Sequence, residues 1–201
     1  MCAIIASMAV RKVVQAGHPA LKTKNKEITD FSSPLFKKLI KDLKDTMYKT
    51  DLVGIAAPQI AENYAVFITH PRQTVHRKVV NVDELRVYIN PKITSHSKKR
   101  SIVFEGCGSV ISANLFGPVS RPNKIRIEAF GEKGNRFSLV ADGLLARVIQ
   151  HELDHLTGME FVQKVSDYSK IFDKKYYYKN IRNSKEQREA SRITKIEYKK
   201  L

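Results

Sequence analysis

The sequence predicts an α+β fold in which antiparallel strands pack around one central, buried helix. Two observations predict this class. Several β-rich runs precede an apolar helical stretch near Leu145, and two of these runs are joined by a short turn bounded by glycines. Helical and strand patterns also fail to alternate regularly along the chain, which disfavours a parallel α/β sheet.

The first helix is predicted in the stretch SSPLFKKLIKDLKDTMYKT. Ser33 is typical of an N-cap, and Pro34 fits the first helical position. Apolar residues recur there at helical spacing and form one stripe, made up of Leu35, Leu39, Ile40, Leu43 and Met47. We expect this stripe to pack on the core and the lysines between to face solvent.

The runs NYAVFITH and LRVYINPKI are rich in β-formers and predict two strands. The stretch NKIRIEAFGEKGNRFSLVA predicts a hairpin, because apolar and polar residues alternate on both arms and Gly131 and Gly134 bracket the turn. A second helix is predicted in DGLLARVIQHELDHLTG, with Asp142 as its N-cap and Gly158 at its end. This helix is apolar on more than one side, so we expect it to be buried.

The domain organisation follows from composition. We expect a flexible extension at 1–9, one domain at 10–165, and a basic extension at 166–201 that is part helical and part disordered. Runs of about 18 apolar residues, as a transmembrane helix needs, do not occur, and residues 1–7 are too short for a secretory signal. These features predict a cytoplasmic protein without a membrane span.

The charge is strongly positive, with a formal net value of +16. The extension at 166–201 contributes eleven basic and five acidic residues. An excess of this kind favours polyanions such as ribosomal RNA, although a solvated extension explains it equally well. Two cysteines, Cys2 and Cys107, make a disulfide framework unlikely and leave Cys107 free for metal binding or catalysis.

The second helix carries H-E-x-x-H within QHELDHLTG. Its spacing places His151 and His155 one turn apart on one face, where both imidazoles are able to bind a divalent metal, with Glu152 beside them. The usual downstream third ligand is missing, because Phe161 stands where metzincins have a histidine and no histidine follows His155. Upstream, Cys107 lies between a strand-like run and a turn, and a thiolate with two imidazoles leaves one position open for water.

Three motifs in order resemble the peptide deformylase family: GIAAPQ from Gly54, EGCGS from Glu105 and QHELDHL from Gln150. The resemblance runs from about Val10 to Val165 and is more specific than H-E-x-x-H alone. It implies a hydrolase that removes the formyl group from the N-terminal formyl-methionine of new proteins. It also implies the peptide deformylase-like α+β fold.

The resemblance assigns roles to individual residues. It implies that Cys107, His151 and His155 hold the metal, which in the family is Fe²⁺ with Zn²⁺ or Ni²⁺ as substitutes. Glu152 would take a proton from the metal-bound water that attacks the formyl carbon, and return one to the leaving amine. The Gln59 side chain and the Gly108 backbone N–H would stabilise the oxyanion.

The resemblance also implies the substrate contacts. Val53, Leu144 and Val148 match an apolar pocket that suits an unbranched methionine side chain. Gly54 and Glu105 match positions where the backbone lines the peptide groove. The substrates would be formyl-methionyl nascent peptides. A further match, Arg121, is expected to form a structural ion pair.

Two departures from the family leave alternatives open. Leu52 stands where the family has glycine, and Gly108 stands where it has leucine. The loop SVISANLFGPVSRP also differs, and it lacks the family's frequent arginine near Asn114. We expect Gly108 to loosen the oxyanion site. The alternatives are a deformylase-like protein with weak or altered N-acyl preference, a metalloprotease, and a basic binding protein on the same scaffold.

Overall fold

A computed structural model describes residues 10–201, and the extension predicted at 1–9, with Cys2, lies outside the described residues. The described strands are β1 Gly54–Ala56, β2 Val66–Thr69, β3 Arg86–His96, β4 Arg100–Glu105, β5 Leu115–Pro122, β6 Lys124–Phe130, β7 Arg136–Asp142, β8 Phe172–Asp173 and β9 Ile196–Lys200. The α-helices are α1 Pro34–Lys49, α2 Gly143–Leu156, α3 Lys174–Asn180 and α4 Lys185–Ala190. Within 10–201, every helix is too short or too polar to cross a bilayer.

The strands form two sheets. The larger sheet has the order β1-β2-β3-β6-β7-β9, and the smaller has the order β4-β5-β8. Every pair of neighbouring strands in both sheets is antiparallel. The predicted α+β class with antiparallel strands is confirmed.

The first helix begins and ends close to the prediction. The hydroxyl of Ser33 accepts a hydrogen bond from the Phe36 amide at 3.2 Å, which caps α1 as expected. One residue of the predicted stripe is wrong, because Leu35 is exposed and Phe36 is buried in its place. Phe36 keeps regular helical spacing with the four confirmed members of the stripe, so the buried face of α1 begins at Phe36.

The predicted hairpin is formed by β6 and β7. Ile127 pairs with Leu139, and Phe130 pairs with Arg136 at the turn. Gly134 has a φ of +76°, which a residue with a side chain adopts only with strain. Alternate residues of β6 are buried, whereas β7 is buried continuously from Phe137 to Ala141. The inward residues of both arms provide the apolar face on which α2 packs.

Helix α2 lies between the two sheets. Leu145 and Ile149 are fully buried in the core cluster that contains the inward residues of the larger sheet. On the other side, Arg147 donates to Ser101 O in β4 at 2.9 Å and to Val119 O in β5 at 3.1 Å. Gly158 follows the helix with a φ of +73°, as predicted for a helix end.

The N-terminus of α2 differs from the prediction. Asp142 occupies the N-cap position, but its carboxylate makes no capping bond. It accepts hydrogen bonds from the backbone amides of Thr194 and Lys195 at 2.7 and 2.9 Å. The Leu144 amide donates to the Ser191 carbonyl at 2.9 Å. The C-terminal extension therefore takes the place of a side-chain cap.

The end of the C-terminal extension forms strand β9, in the segment where the sequence predicted partial disorder. Strand β9 pairs with β7, and the Tyr198 ring stacks on Phe137 with 5.2 Å between centroids. Ile193 is buried in the same core cluster as α2. The signal was present in the sequence, since Ile196 and Tyr198 alternate with polar residues, but the edge of β7 that they pair with is distant in sequence.

Candidate metal centre

Three ligand-type side chains meet at α2. Cys107 lies in the turn after β4, whereas His151 and His155 lie one turn apart on the helix. Their ligand atoms all lie within 4.8 Å of one another, and Cys107 Sγ is 3.1 Å from His155 Nε2. Cys107 and His155 are almost fully buried. The structure thus brings together the three residues predicted as metal ligands.

This donor set fits a divalent metal. One sulfur and two ring nitrogens form the kind of set that borderline-soft ions prefer. Buried polar groups are costly without partners, and the other ring nitrogen of His155, Nδ1, has no hydrogen-bond partner among residues 10–201. A shared ion would compensate the cost of burying the three donors together.

Glu105 orients His151. Its carboxylate lies 3.0 Å from His151 Nδ1, which directs the other ring nitrogen, Nε2, away from Glu105. The same carboxylate accepts from Arg121 at 2.7 and 2.8 Å and from Arg147 at 2.6 Å. Burial opposes the charge, but Arg121 outweighs it and holds the pKa of Glu105 well below its usual range. The ion pair predicted for Arg121 is confirmed.

The histidine itself is polarised by this arrangement. Burial disfavours the imidazolium form, but hydrogen bonds to Cys107 and Glu105 hold the pKa of His151 well above its usual range. An ion at Nε2 would take the place of that proton. The role of Arg147 in this network was not predicted from the sequence. Its hydrogen-bond partners, Glu105, Ser101 of β4 and Val119 of β5, are all more than 25 residues away.

Glu152 projects beside the ligands and has no ion-pair partner within 10–201. It is 4 % exposed, and its Oε2 atom has no hydrogen-bond partner among the described residues. Burial raises the pKa of Glu152 to about 7. Gly54 accommodates this carboxylate, since a Cβ on Gly54 would lie 2.6 Å from Glu152 Oε1 and 2.5 Å from Val148 Cγ1.

Gln59 directs an amide N–H₂ group at the same place. Its Oε1 accepts from the Ala56 amide at 2.8 Å, which fixes the orientation of the side chain. Its Nε2 then lies 3.5 Å from Cys107 Sγ and 3.3 Å from Ser109 Oγ. The Gly108 backbone N–H has no hydrogen-bond partner within residues 10–201, while its carbonyl accepts from Gln15 at 3.0 Å. Two donors are thus available close to the cysteine.

A cavity of about 420 Å³ opens onto these groups. The predicted site residues that line it are Val53, Gly54, Gln59, Glu105, Cys107, Gly108, Leu144, Val148, His151 and Glu152. Val53, Leu144 and Val148, which the sequence predicted as an apolar pocket, contribute to its apolar wall. The Glu105 side chain is engaged with arginines and His151, so only the rest of that residue is free to line a groove.

The two departures from the family contact each other. A Cβ placed on Gly108 would lie 3.2 Å from Leu52 Cδ1 and 3.5 Å from Val13 Cγ1. The Leu52 side chain thus fills the space that a side chain at position 108 would otherwise use. From the sequence, Gly108 is expected to loosen the oxyanion site, but this expectation does not consider Leu52. The Leu52 side chain packs on Gly108 and restricts the movement of its backbone.

A buried carboxylate beside one thiol and two imidazoles, on an antiparallel α+β scaffold, defines a metal-dependent hydrolase. The particular family follows from comparison with known proteins. The family model for polypeptide deformylase matches residues 10–170. The chain belongs to the polypeptide deformylase family.

Individual relatives agree with this assignment. Peptide deformylase 2 of Clostridium perfringens is 38% identical over 167 residues, covering 83% of this chain and 100% of the relative. Peptide deformylase 1 of Ralstonia nicotianae is 37% identical over 165 residues, covering 79% of this chain and 88% of the relative. These relatives favour deformylation over the alternative of a metalloprotease.

Solved structures share the fold. The Met-Ala-Ser bound class I type b peptide deformylase from Acinetobacter baumannii has a TM-score of 0.74 at 29% identity, covering 79% of this chain and 99% of that chain. Peptide deformylase from Ehrlichia chaffeensis in complex with actinonin has a TM-score of 0.71 at 28% identity, covering 81% of this chain and 92% of that chain. The expected deformylase-like fold is confirmed.

Proposed function

We propose that this protein removes the formyl group from the N-terminal formyl-methionine of newly made proteins. The observation that carries the proposal is the cluster of Cys107, His151 and His155, which adjoins a cavity that Gln59 and Glu152 also line. The reaction adds water across the formyl C–N bond and yields formate and a free amine. The substrate class is formyl-methionyl nascent peptides.

The metal would be held by Cys107, His151 and His155, and Fe²⁺ is the ion that we propose, with Zn²⁺ or Ni²⁺ as substitutes. When bound, such an ion supplies Lewis-acid chemistry, since it polarises a carbonyl and lowers the pKa of water toward neutrality. Glu105 keeps His151 in the orientation that ligation needs.

The protein's own groups perform the proton transfers and hold the charge. Glu152, buried and free of an ion-pair partner in 10–201, takes a proton from water and delivers one to the leaving amine nitrogen. The Gln59 amide and the Gly108 N–H donate hydrogen bonds to the formyl oxygen as it gains negative charge. Val53, Leu144 and Val148 provide the apolar wall for the methionine side chain.

The alternative of weak or altered activity rested on Leu52 and Gly108. Leu52 occupies the space that a leucine at position 108 would otherwise fill, so the two changes compensate each other and leave the site intact. Glycine retains the backbone N–H that the oxyanion needs. We therefore assign ordinary deformylation to this chain.

The test is direct. Protein loaded anaerobically with Fe²⁺ is incubated with formyl-Met-Ala-Ser, and formate and free amine are measured together. Equal release of both supports the proposal, whereas no release by protein that holds one metal per chain contradicts it. Acetyl-Met-Ala-Ser serves as the control substrate, because its additional methyl group tests whether the site is specific for formyl.

The basic C-terminal extension suggests a docking partner. Several of its cations are exposed, namely Lys179, Lys185, Arg188, Lys199 and Lys200. They would help to hold the enzyme on ribosomal RNA near emerging chains, in the cytoplasm, where Cys107 stays reduced. Deleting the extension is a poor test, since β9 pairs with β7 and Ile193 is in the core.

Charge reversal is the better test of docking. The five cations named above are changed to Glu, and co-sedimentation with ribosomes is measured at low salt. A control variant carries five reversals at exposed lysines elsewhere, at Lys12, Lys24, Lys37, Lys49 and Lys133. Loss of sedimentation in the first variant alone supports docking by the extension. Equal sedimentation of both variants contradicts it.

A further inference from the structure

Two arginines without carboxylate partners line the cavity of the metal centre. Arg77 comes from the loop between β2 and β3, and Arg182 comes from the segment after α3. The ion pairs formed within residues 10–201 include neither of them. Arg77 Nε, Arg182 Nε and Arg182 Nη1 are buried without a hydrogen-bond partner in the described chain. Buried arginine N–H groups are normally paired, so these atoms require an explanation.

Aromatic stacking holds one of these guanidinium groups in place but does not satisfy it. Arg182 Cζ lies 4.3 Å from the centroid of the Tyr178 ring and 5.8 Å from that of Tyr177. The His76 ring also packs against the Tyr178 ring, in a tilted arrangement with 4.8 Å between the two centroids. Stacking uses the flat faces of a guanidinium, whereas its N–H groups point outward in the plane. The N–H edge of Arg182 therefore remains available.

The wall that carries these residues is anchored to the protein. The Tyr177 ring stacks on Phe116 of β5 with 4.2 Å between centroids and an interplanar angle of 16°. The Gln187 side chain accepts from the Phe104 amide of β4 at 3.0 Å. Asn183 accepts from the Lys78 amide at 3.4 Å, which joins the loop of Arg77 to the extension of Arg182. The two arginines are thus presented by a packed surface.

The electrostatics of the pair favour an anion between or beside them. Burial and the neighbouring Arg182 lower the pKa of Arg77 to about 10. Asp51 lines the same cavity and partly offsets the charge of Arg77, but its ion-pair contact is with Arg72, at 3.7 Å from Arg72 Nη2. Lys174 adds a third cation to the same wall. Like charges in one low-dielectric wall repel, and a bound anion would relieve that repulsion.

We propose that Arg77 and Arg182 form a carboxylate site in the substrate groove, which selects peptides that carry a negative charge shortly after the formyl-methionine. The carboxylate is that of an acidic side chain or of the C-terminus of a short peptide. Arginine binds carboxylates through paired N–H groups, which matches the unsatisfied atoms here. Arg182 lies beyond residue 170, where the family match ends, so the extension contributes one of the two arginines of the site. This proposal rests on the proposed deformylase function.

The experiment compares charged and neutral substrates. The kcat/KM of the metal-loaded enzyme is measured on formyl-Met-Ala-Ser-amide, formyl-Met-Asp-Ala-amide, formyl-Met-Ala-Asp-amide and formyl-Met-Ala-Ser with a free C-terminus. We expect about a tenfold preference for at least one charged peptide over the neutral one, as a charge-assisted hydrogen bond provides. The two Asp peptides and the free C-terminus separate the two sources of the carboxylate.

Substitutions then locate the preference. Arg77→Gln and Arg182→Gln should each remove most of it and leave the kcat/KM of the neutral peptide within about twofold. Matched controls lose the same charge at exposed positions of the same segments, in Lys78→Gln and Arg188→Gln, and should keep the preference. Because the preference is a ratio measured within one variant, a loss of stability shared by all substrates does not imitate the effect.

Binding is measured in parallel by calorimetry with the deformylated peptides Met-Ala-Asp-amide and Met-Ala-Ser-amide. A wild-type protein that turns over the neutral peptide and shows no charge preference in kcat/KM or affinity overturns the carboxylate site and leaves the function standing. A preference that survives in both arginine variants overturns it as well. No turnover of any formyl peptide contradicts the proposed function, and the calorimetric comparison then still decides on the carboxylate site.

Discussion

The contact between Leu52 and Gly108 predicts that the two positions are energetically coupled. Gly108 is not among the glycines with positive φ, so leucine is compatible with its backbone. The obstacle is space, because a Cβ there already lies 3.2 Å from Leu52 Cδ1 and a leucine extends further. Gly108→Leu alone should therefore be destabilising, by about 1–3 kcal/mol as in other overpacked sites.

The reciprocal change removes the obstacle. Leu52→Ala removes the side chain and leaves a void beside Gly108. Because Leu52 is only half-buried, the loss in free energy of unfolding should fall at or below the lower end of the range of about 2–5 kcal/mol for core leucines. In the double variant the new leucine fills the space that Leu52 vacated. We expect a favourable coupling energy of about 1–3 kcal/mol between the two positions.

The assay is a double-mutant cycle on thermal unfolding at fixed metal concentration, together with kcat/KM on formyl-Met-Ala-Ser. For a chain of this length, each 1 kcal/mol shifts Tm by about 2–4 °C. Gly108→Leu combined with Leu35→Ala is the control, since Leu35 is exposed. A Gly108→Leu variant as stable and active as wild type, or additive effects of the Leu52 and Gly108 changes, would refute the reasoning.

Three further predictions concern the site. Glu152→Ala should keep the metal and lose about 10²–10⁴ in kcat, as removal of a proton-transfer group does, and near-normal turnover with metal retained would exclude it from that role. Glu105→Gln should weaken metal binding by about 10–100-fold, because His151 loses its orienting carboxylate, and an unchanged metal affinity in competition with a chelator would contradict this. Gly54→Ala should lower kcat/KM by displacing Glu152 and Val148, whose atoms lie within 2.6 Å of the new Cβ; full activity would show that both yield without consequence.

Local patterns predicted much of the fold. The caps and apolar spacing of α1, the alternation of the β6–β7 hairpin and the apolar character of α2 are each contained within fewer than 20 residues. The metal ligands were also predictable, because the helical spacing of His151 and His155 is local and Cys107 was assigned by its resemblance to a family motif. The order of the three motifs along the chain identified a ligand that is distant in sequence from the two histidines, which helical spacing alone does not do.

The remaining features depend on contacts between distant segments. The sequence around Arg147 does not indicate that it bonds to Glu105, and Asp142 resembles an ordinary N-cap until the extension binds it. The extension itself is polar, with only Ile193, Ile196 and Tyr198 to indicate packing. Its helices are short, so their hydrophobic pattern is weak, and their contribution to the cavity wall depends on tertiary contacts.

The central claim is that a thiolate and two imidazoles of this chain hold one catalytic metal ion. X-ray absorption spectroscopy of the Zn²⁺-loaded protein tests it most directly. The spectrum should show one sulfur at about 2.3 Å and two imidazole nitrogens at about 2.0–2.1 Å from the metal, and the sulfur signal should be lost in Cys107→Ala. A spectrum of the wild-type protein without sulfur, or one that Cys107→Ala leaves unchanged, would contradict the metal centre described for this deformylase.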